Sequence, residues 1–389
     1  MRGFRYASMP MRVTFGAGVL ASLPQEVSHL GLTRVLVLST PEQRDLAEQV
    51  SNQLGQHSAG VHAEARMHVP IESARQARDA ARAAGADGCV AVGGGSTMGL
   101  GKAIALESDL PIIAVPTTYA GSEMTSVWGL TIDGEKKTGR DTRVLPVSVL
   151  YDPELTRSLP VSLSVTSGFN AIAHAVEALY APDRSPIISL MAEDGIRALL
   201  NALPRIAASG TDIDARADAL YGAWLCGATL GATTMSLHHK LCHVLGGSFG
   251  LPHAETHTVL LPYVLAYNAG HAPEARAALR RATSSDAPAT FLWDLSRELG
   301  APHALSEIGL TENDIPRVVD LATTSAYANP RKVKPGAIRR IVTAAWRGDP
   351  PDQARQDELV ERPGNEDQTR RRSARRPSTS RTHTRIHRP

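Results

Sequence analysis

Residues 88–102 read GCVAVGGGSTMGLGK, a short apolar run, then four small residues, then an Ala- and Gly-rich stretch of helical character. A buried strand that breaks on Gly93-Gly94-Gly95-Ser96 and restarts as a helix is a βα turn. Its glycines let a phosphate approach the free N–H groups of the first helical turn. The Gly-x-Gly-x-x-Gly spacing is satisfied at Gly93 and Gly95 but fails at Met98, so the turn alone indicates a phosphate and little more. Outward from it, RVLVLS (34–39) reads as a strand, 41–54 as a helix and 72–84 as another. PIIAV (111–115) and 147–151 read as further strands. Strands alternating with helices imply right-handed crossovers and a parallel sheet.

A second turn, Pro116-Thr117-Thr118-Tyr119-Ala120-Gly121-Ser122, follows the 111–115 strand and falls at the same carboxyl edge, where ligands of open α/β sheets collect. Two polar loops at one edge suit an elongated dinucleotide. The expected contacts are Ser39, Gly93, Gly94, Gly95, Ser96, Thr117, Thr118 and Ser122. The first strand ends in Ser39-Thr40 with no carboxylate, so both NADH and NADPH are compatible.

After Asp152-Pro153 strand signals almost vanish. Helical stretches appear at 170–180, 187–203, 215–230 and 240–245. The expected organisation is an α/β domain at 1–153, an all-helical domain at 154–350 and a disordered Arg-rich tail at 351–389, with a ligand cleft between the first two. The formal net charge of +2 conceals an imbalance, because residues 370–389 hold eight arginines and no acid. The remainder carries 33 basic against 39 acidic residues, so nucleic-acid binding by the folded part is not expected. A nucleic-acid role confined to the tail is the reading from another class. No apolar run approaches the ~20 residues of a membrane span. Three unpaired-looking cysteines and no leader pattern suit a cytoplasmic protein.

Histidines concentrate in the helical half. Asn170 and His174 lie four apart, as do His239 and His243 within HHKLCH (238–243), and His253 follows Gly-Leu-Pro. Such a cluster either holds zinc or iron, or supplies cations and a proton donor for an acidic substrate. Lys240 favours the second use. His257 reads as structural.

The blocks GGGSTMGLGKAIAL, PTTYAGSEMTSVWG, SGFNAIAHAVEALYAP and HHKLCHVLGGSFGLPHAETHTVLLPY resemble the iron-containing alcohol dehydrogenase superfamily, with its dehydroquinate synthase-like fold, and within it the maleylacetate reductase branch. The resemblance spans about residues 5–350. It implies a homodimer and a small dicarboxylate substrate whose C=C bond is reduced with NADH or NADPH. It also implies a metal position at Asn170, His174, His243 and His253. Asparagine there in place of aspartate removes a unit of negative charge, and Gly99 stands where many alcohol-oxidising relatives carry an aspartate. Both departures favour the reductase branch over a metal-dependent alcohol or polyol dehydrogenase. The expected catalytic set is His174, His238, His239, Lys240, His243 and His253, with His238, His239 and Lys240 facing the carboxylates. Tyr327 is a further candidate.

Overall fold

The chain begins with β1 (Arg12–Phe15), α1 (Leu23–His29), β2 (Val35–Leu38), α2 (Arg44–Leu54) and β3 (Ser58–His62). It continues through α3 (Ile71–Ala83), β4 (Gly88–Gly93), α4 (Gly95–Ser108) and β5 (Ile112–Pro116). The computed structural model describes residues 4, 6–133 and 135–351. The expectations for the tail beyond Pro351 fall outside the described residues. After β5 come β6 (Val127–Ile132) and β7 (Glu135–Arg140), then β8 (Ser148–Tyr151). Six strands form one parallel sheet in the order β1-β8-β5-β4-β2-β3, while β6 and β7 make a separate antiparallel ribbon. β2, β4, β5 and β8 are buried along their whole length. Their Val, Ile, Leu and Ala runs suit a sheet covered on both faces.

All described strands precede Asp152. Beyond it the described residues contain helices: α5 (Val161–Tyr180), α6 (Pro186–Ala208), α7 (Ile213–Ala232), α8 (Leu237–Phe249) and α9 (His253–Ala269). These are followed by α10 (Pro273–Thr283), α11 (Pro288–Glu298), α12 (Ile315–Thr323) and α13 (Pro335–Arg347). Ser185 caps α6 by accepting the Ile188 N–H, and Asp212 caps α7 through Ala215. The boundary carboxylate Asp152 accepts the Gly18 and Leu20 N–H groups, each at 3.0 Å, tying the last sheet strand to the start of the chain. The largest core cluster mixes sheet residues (Ala91, Ile112, Val149) with residues of α5–α7 (Phe169, Ile196, Leu220), so the described residues form one compact unit.

Two contacts bring the helices to the carboxyl edge of the sheet. A Cβ on Gly227 of α7 would lie 2.7 Å from the Gly121 carbonyl oxygen, and Gly121 has φ 75°, so backbone meets backbone there. Arg216 of α7 is fully buried. It donates to the Leu159 and Gly210 carbonyls, Ser164 Oγ and Tyr119 Oη, which fixes the 116–122 loop against α5. No described helix is long and apolar enough to cross a membrane.

Candidate active site

α4 starts directly after β4 with Gly94 at its N-cap, and no side chain caps it. The first-turn N–H groups therefore remain available to an anion. Gly93 (φ 154°) has no room for a side chain, since a Cβ would collide with Thr97 Oγ1 and lie 2.9 Å from Gln43 Oε1. A Cβ on Gly94 would lie 2.8 Å from Thr118 Cγ2. Gln43 Nε2 donates to Thr117 Oγ1 (2.9 Å) and the Thr117 N–H donates to the Gly93 carbonyl (3.1 Å), so the two polar turns are joined. Gly95, Ser96, Thr118 and Ser122 line a cavity of about 640 Å³ that continues to the histidines. Ser39 does not belong with them. Its side chain is fully buried, its hydroxyl donates to the Thr40 carbonyl (3.0 Å), and it does not line the cavity.

α5, α8 and α9 bring the histidines together. Glu177, fully buried and three residues beyond His174, is the anchor that sequence reasoning missed. One carboxylate oxygen accepts the backbone N–H of His238 (2.7 Å) and the Tyr180 hydroxyl (3.4 Å). The other accepts the Ser236 N–H (2.8 Å) and His239 Nδ1–H (2.8 Å). His239 Nε2 lies 2.9 Å from His174 Nδ1, and His174 Nε2 lies 3.2 Å from the Ala120 carbonyl. This chain has three contacts, each needing one proton. Two neutral imidazoles bring only two, so the row is complete only when the pair takes up a third beside the Glu177 carboxylate. Burial opposes that proton and pushes the His174 pKa well below the ordinary histidine value, with His239 adding to the effect.

His243 and His253 also line the cavity. Burial lowers the His243 pKa to about 3, with His239 and Lys136 contributing. Burial, then Lys136, lowers that of His253. His238 and Lys240 do not line the cavity. His238 is buried against His257, Nε2 to Nδ1 at 2.9 Å, so neither it nor Lys240 stands where a substrate carboxylate would meet it. Tyr327 is likewise outside the cavity wall, packed against the core cluster that includes Leu237 and Tyr267, with burial raising its pKa to about 12. The cations that do reach the wall are two lysines outside the histidine segments. Lys102 of α4 donates to the Ser122 carbonyl (2.7 Å), Thr125 Oγ1 (2.8 Å) and the Val127 carbonyl (2.8 Å). Burial lowers its pKa to about 7. Lys136 projects from β7. A lysine-bearing hairpin without clean apolar alternation carries little sequence signal.

The expected metal set does not assemble. The described trio whose ring nitrogens lie within 4.8 Å of one another is His174, His239 and His257, without His243 or His253. Its nitrogens are already committed. His174 spends both on His239 and Ala120, His239 spends both on Glu177 and His174, and His257 spends Nδ1 on His238. One nitrogen, His257 Nε2, has no partner. Asn170 adds only a neutral, unpartnered Oδ1 and donates weakly to Ala120 (3.4 Å). Of the expected four, His243 and His253 make no hydrogen bond with a described residue, but two neutral imidazoles beside a committed His174 and an uncharged Asn170 supply no anion, so these residues fit a dication poorly.

Residues 10–153 match the family model described as iron-containing alcohol dehydrogenase, and residues 164–346 match that of the Fe-containing alcohol dehydrogenase family, C-terminal. A maleylacetate reductase of Burkholderia cepacia is 54% identical over 348 residues, 90% of this chain and 99% of that protein. The crystal structure of maleylacetate reductase from Agrobacterium tumefaciens superposes with a TM-score of 0.87 at 50% identity, covering 90% of this chain and all of that one. That from Rhizobium sp. strain MTP-10005 superposes at 0.86, also at 50% identity and with the same coverage.

Proposed function

The chain belongs to the iron-containing alcohol dehydrogenase family, and we infer that it reduces the C=C bond of maleylacetate to give 3-oxoadipate, with NADH or NADPH as reductant. Within that family, the observation that carries the reading is the committed histidine row beside Asn170. It offers proton chemistry where an alcohol-oxidising relative needs a charged metal.

The uncapped α4 N-terminus, with Gly93–Ser96, Thr118 and Ser122, is the cradle for the pyrophosphate and its flanking ribose. Ser39-Thr40 at the end of β2 carry no carboxylate to repel a 2′-phosphate, which supports use of both cofactors. When bound, the reduced nicotinamide supplies a hydride to the alkene carbon β to the ketone. Negative charge then develops on the enolate oxygen, and the α-carbon must gain a proton. The His174–His239 pair, compensated by Glu177, holds that proton and stabilises the developing charge. His243 and His253 line the wall beside it, neutral and available as donors of hydrogen bonds. Exposed Phe4 and Tyr6, which precede the edge strand β1, support a homodimer built through that edge.

The test follows NADH oxidation with maleylacetate before and after exhaustive chelation, with the product identified as 3-oxoadipate by mass. Absence of turnover overturns the assignment. Turnover lost on chelation and restored by zinc or iron overturns the metal-free chemistry while leaving the substrate in place.

A further inference from the structure

A six-carbon dicarboxylate carries a second anion beyond the one next to the reacting alkene, and the cavity has one wall prepared for it. Lys136 enters the cavity from β7, half-buried, and makes no hydrogen bond or ion pair with any described residue. A partly desolvated ammonium without a partner is costly, and a ligand carboxylate in the cavity supplies the counter-charge. The other basic groups of this region are already engaged. Lys102 is held by three oxygen acceptors, and Arg140 donates to the Leu230, Gly231 and Thr233 carbonyls. Glu255 is the one acidic residue among those lining the cavity.

His68 stands beside Lys136 on the loop before α3. It has φ 62° and the following Val69 has φ 46°, a left-handed pair that costs energy for a non-glycine and more for a β-branched residue. The β6 strand of the same hairpin holds this conformation. Thr131 Oγ1 donates to the His68 carbonyl (2.8 Å) and the Thr131 N–H to that of Val69 (3.0 Å). The result aims His68 into the cavity with Nε2 buried and unpartnered. Both side chains run against one turn of α8. A Cβ on Gly246 would be 3.9 Å from His68 Cε1, and one on Gly247 3.4 Å from Lys136 Cβ. His239, His243 and Gly247 are four apart in turn, so they form one stripe along α8. The hairpin cation sits at the end of that stripe opposite the Glu177-anchored pair.

We propose that Lys136 and His68 form the subsite for the substrate carboxylate remote from the histidine pair, and so determine preference for a dicarboxylate over a monocarboxylate enone. This rests on the reductase reading above. The ammonium supplies the charge, and the neutral imidazole supplies a directional hydrogen bond.

The experiment compares wild type, Lys136→Met, Lys136→Arg and His68→Asn on maleylacetate and on cis-4-oxopent-2-enoate, which keeps the enone and its adjacent carboxylate but lacks the remote one. Lys136→Met is expected to lower the diacid-over-monoacid ratio of kcat/KM about 10- to 100-fold, carried by KM for the diacid rather than by kcat. Lys136→Arg is expected to recover part of that ratio, and His68→Asn to lower it by a smaller factor. A ratio within twofold of wild type in Lys136→Met overturns the subsite, as does an equal loss on both enones. A wild-type protein that reduces neither enone removes the function itself, and the subsite with it.

Discussion

Replacing Glu177 with glutamine tests the histidine row most directly. The carboxylate accepts from four donors, the N–H groups of Ser236 and His238, His239 Nδ1–H and the Tyr180 hydroxyl. An amide keeps one acceptor oxygen and turns an NH₂ group toward the other two donors. If the oxygen stays on the His238 side, the Ser236 N–H and His239 Nδ1 face that NH₂. His239 can reverse its tautomer and accept, but the Ser236 N–H cannot. One buried donor is left unpaired and a charge-assisted bond is lost, on the order of 3 kcal/mol together. Unfolding entropy of about 2.1 cal/mol/K per residue over roughly 350 residues converts this to a fall in Tm of about 4 °C. The tautomer reversal has a chemical consequence. His239 Nε2–H now donates to His174 and His174 Nε2–H to Ala120, so two protons satisfy all three contacts and the third is expelled. The pair loses the proton that reaches the α-carbon, and kcat should fall by about 100-fold with KM for NADH little changed. The assay is steady-state NADH oxidation well below Tm, with thermal melts alongside. A kcat within threefold of wild type refutes the relay, whatever the melt shows.

Gly94→Ala should raise KM for NADH about tenfold, because its Cβ would press on Thr118 at the phosphate turn; cofactor titration by fluorescence checks this. Asn170→Asp should raise zinc or iron affinity at least tenfold by restoring an anion beside His174, read as metal content after dialysis against defined metal. Stability should fall on mild acidification. Burial holds the pKa values of His238, His253 and His257 well below 6.5 and that of His243 near 3, so at these four positions the unfolded chain binds protons that the native state refuses. The stability gained by keeping them neutral is complete above about pH 6.5 and is lost as pH drops from there toward 3, at about 1.4 kcal/mol per unit for each histidine. Urea midpoints at pH 7.5, 6.0 and 5.0 should therefore decline steeply, and a flat series contradicts the buried neutral cluster.

The central strands and their helices were legible because buried parallel strands are short, continuous apolar runs bounded by glycine or proline, as in 88–93 and 112–116. β1, β3 and the β6–β7 ribbon were not read, since SAGVH and KKTGR (136–140) are half-exposed and mix Gly, Lys and Thr. The histidine spacing located the right segments but not the right partners. His239 and His243 share a helix face, yet only His239 reaches His174. His257, read as structural, is in the close trio. Glu177 lies three residues beyond His174 in the same quoted block, but an acid inside an Ala-rich helix looks like any solvated glutamate until its burial is known. Lys136 was invisible for the opposite reason, because a surface hairpin is where lysines usually sit.

The glycine pair Gly121 and Gly227 makes the cofactor loop and α7 a single mechanical part, although they come from opposite halves of the chain. The loop is therefore not an exchangeable module. Grafting 116–124 from a relative to alter cofactor choice transplants one face of a fitted joint, and the graft keeps its shape only when the facing turn of α7 is carried with it.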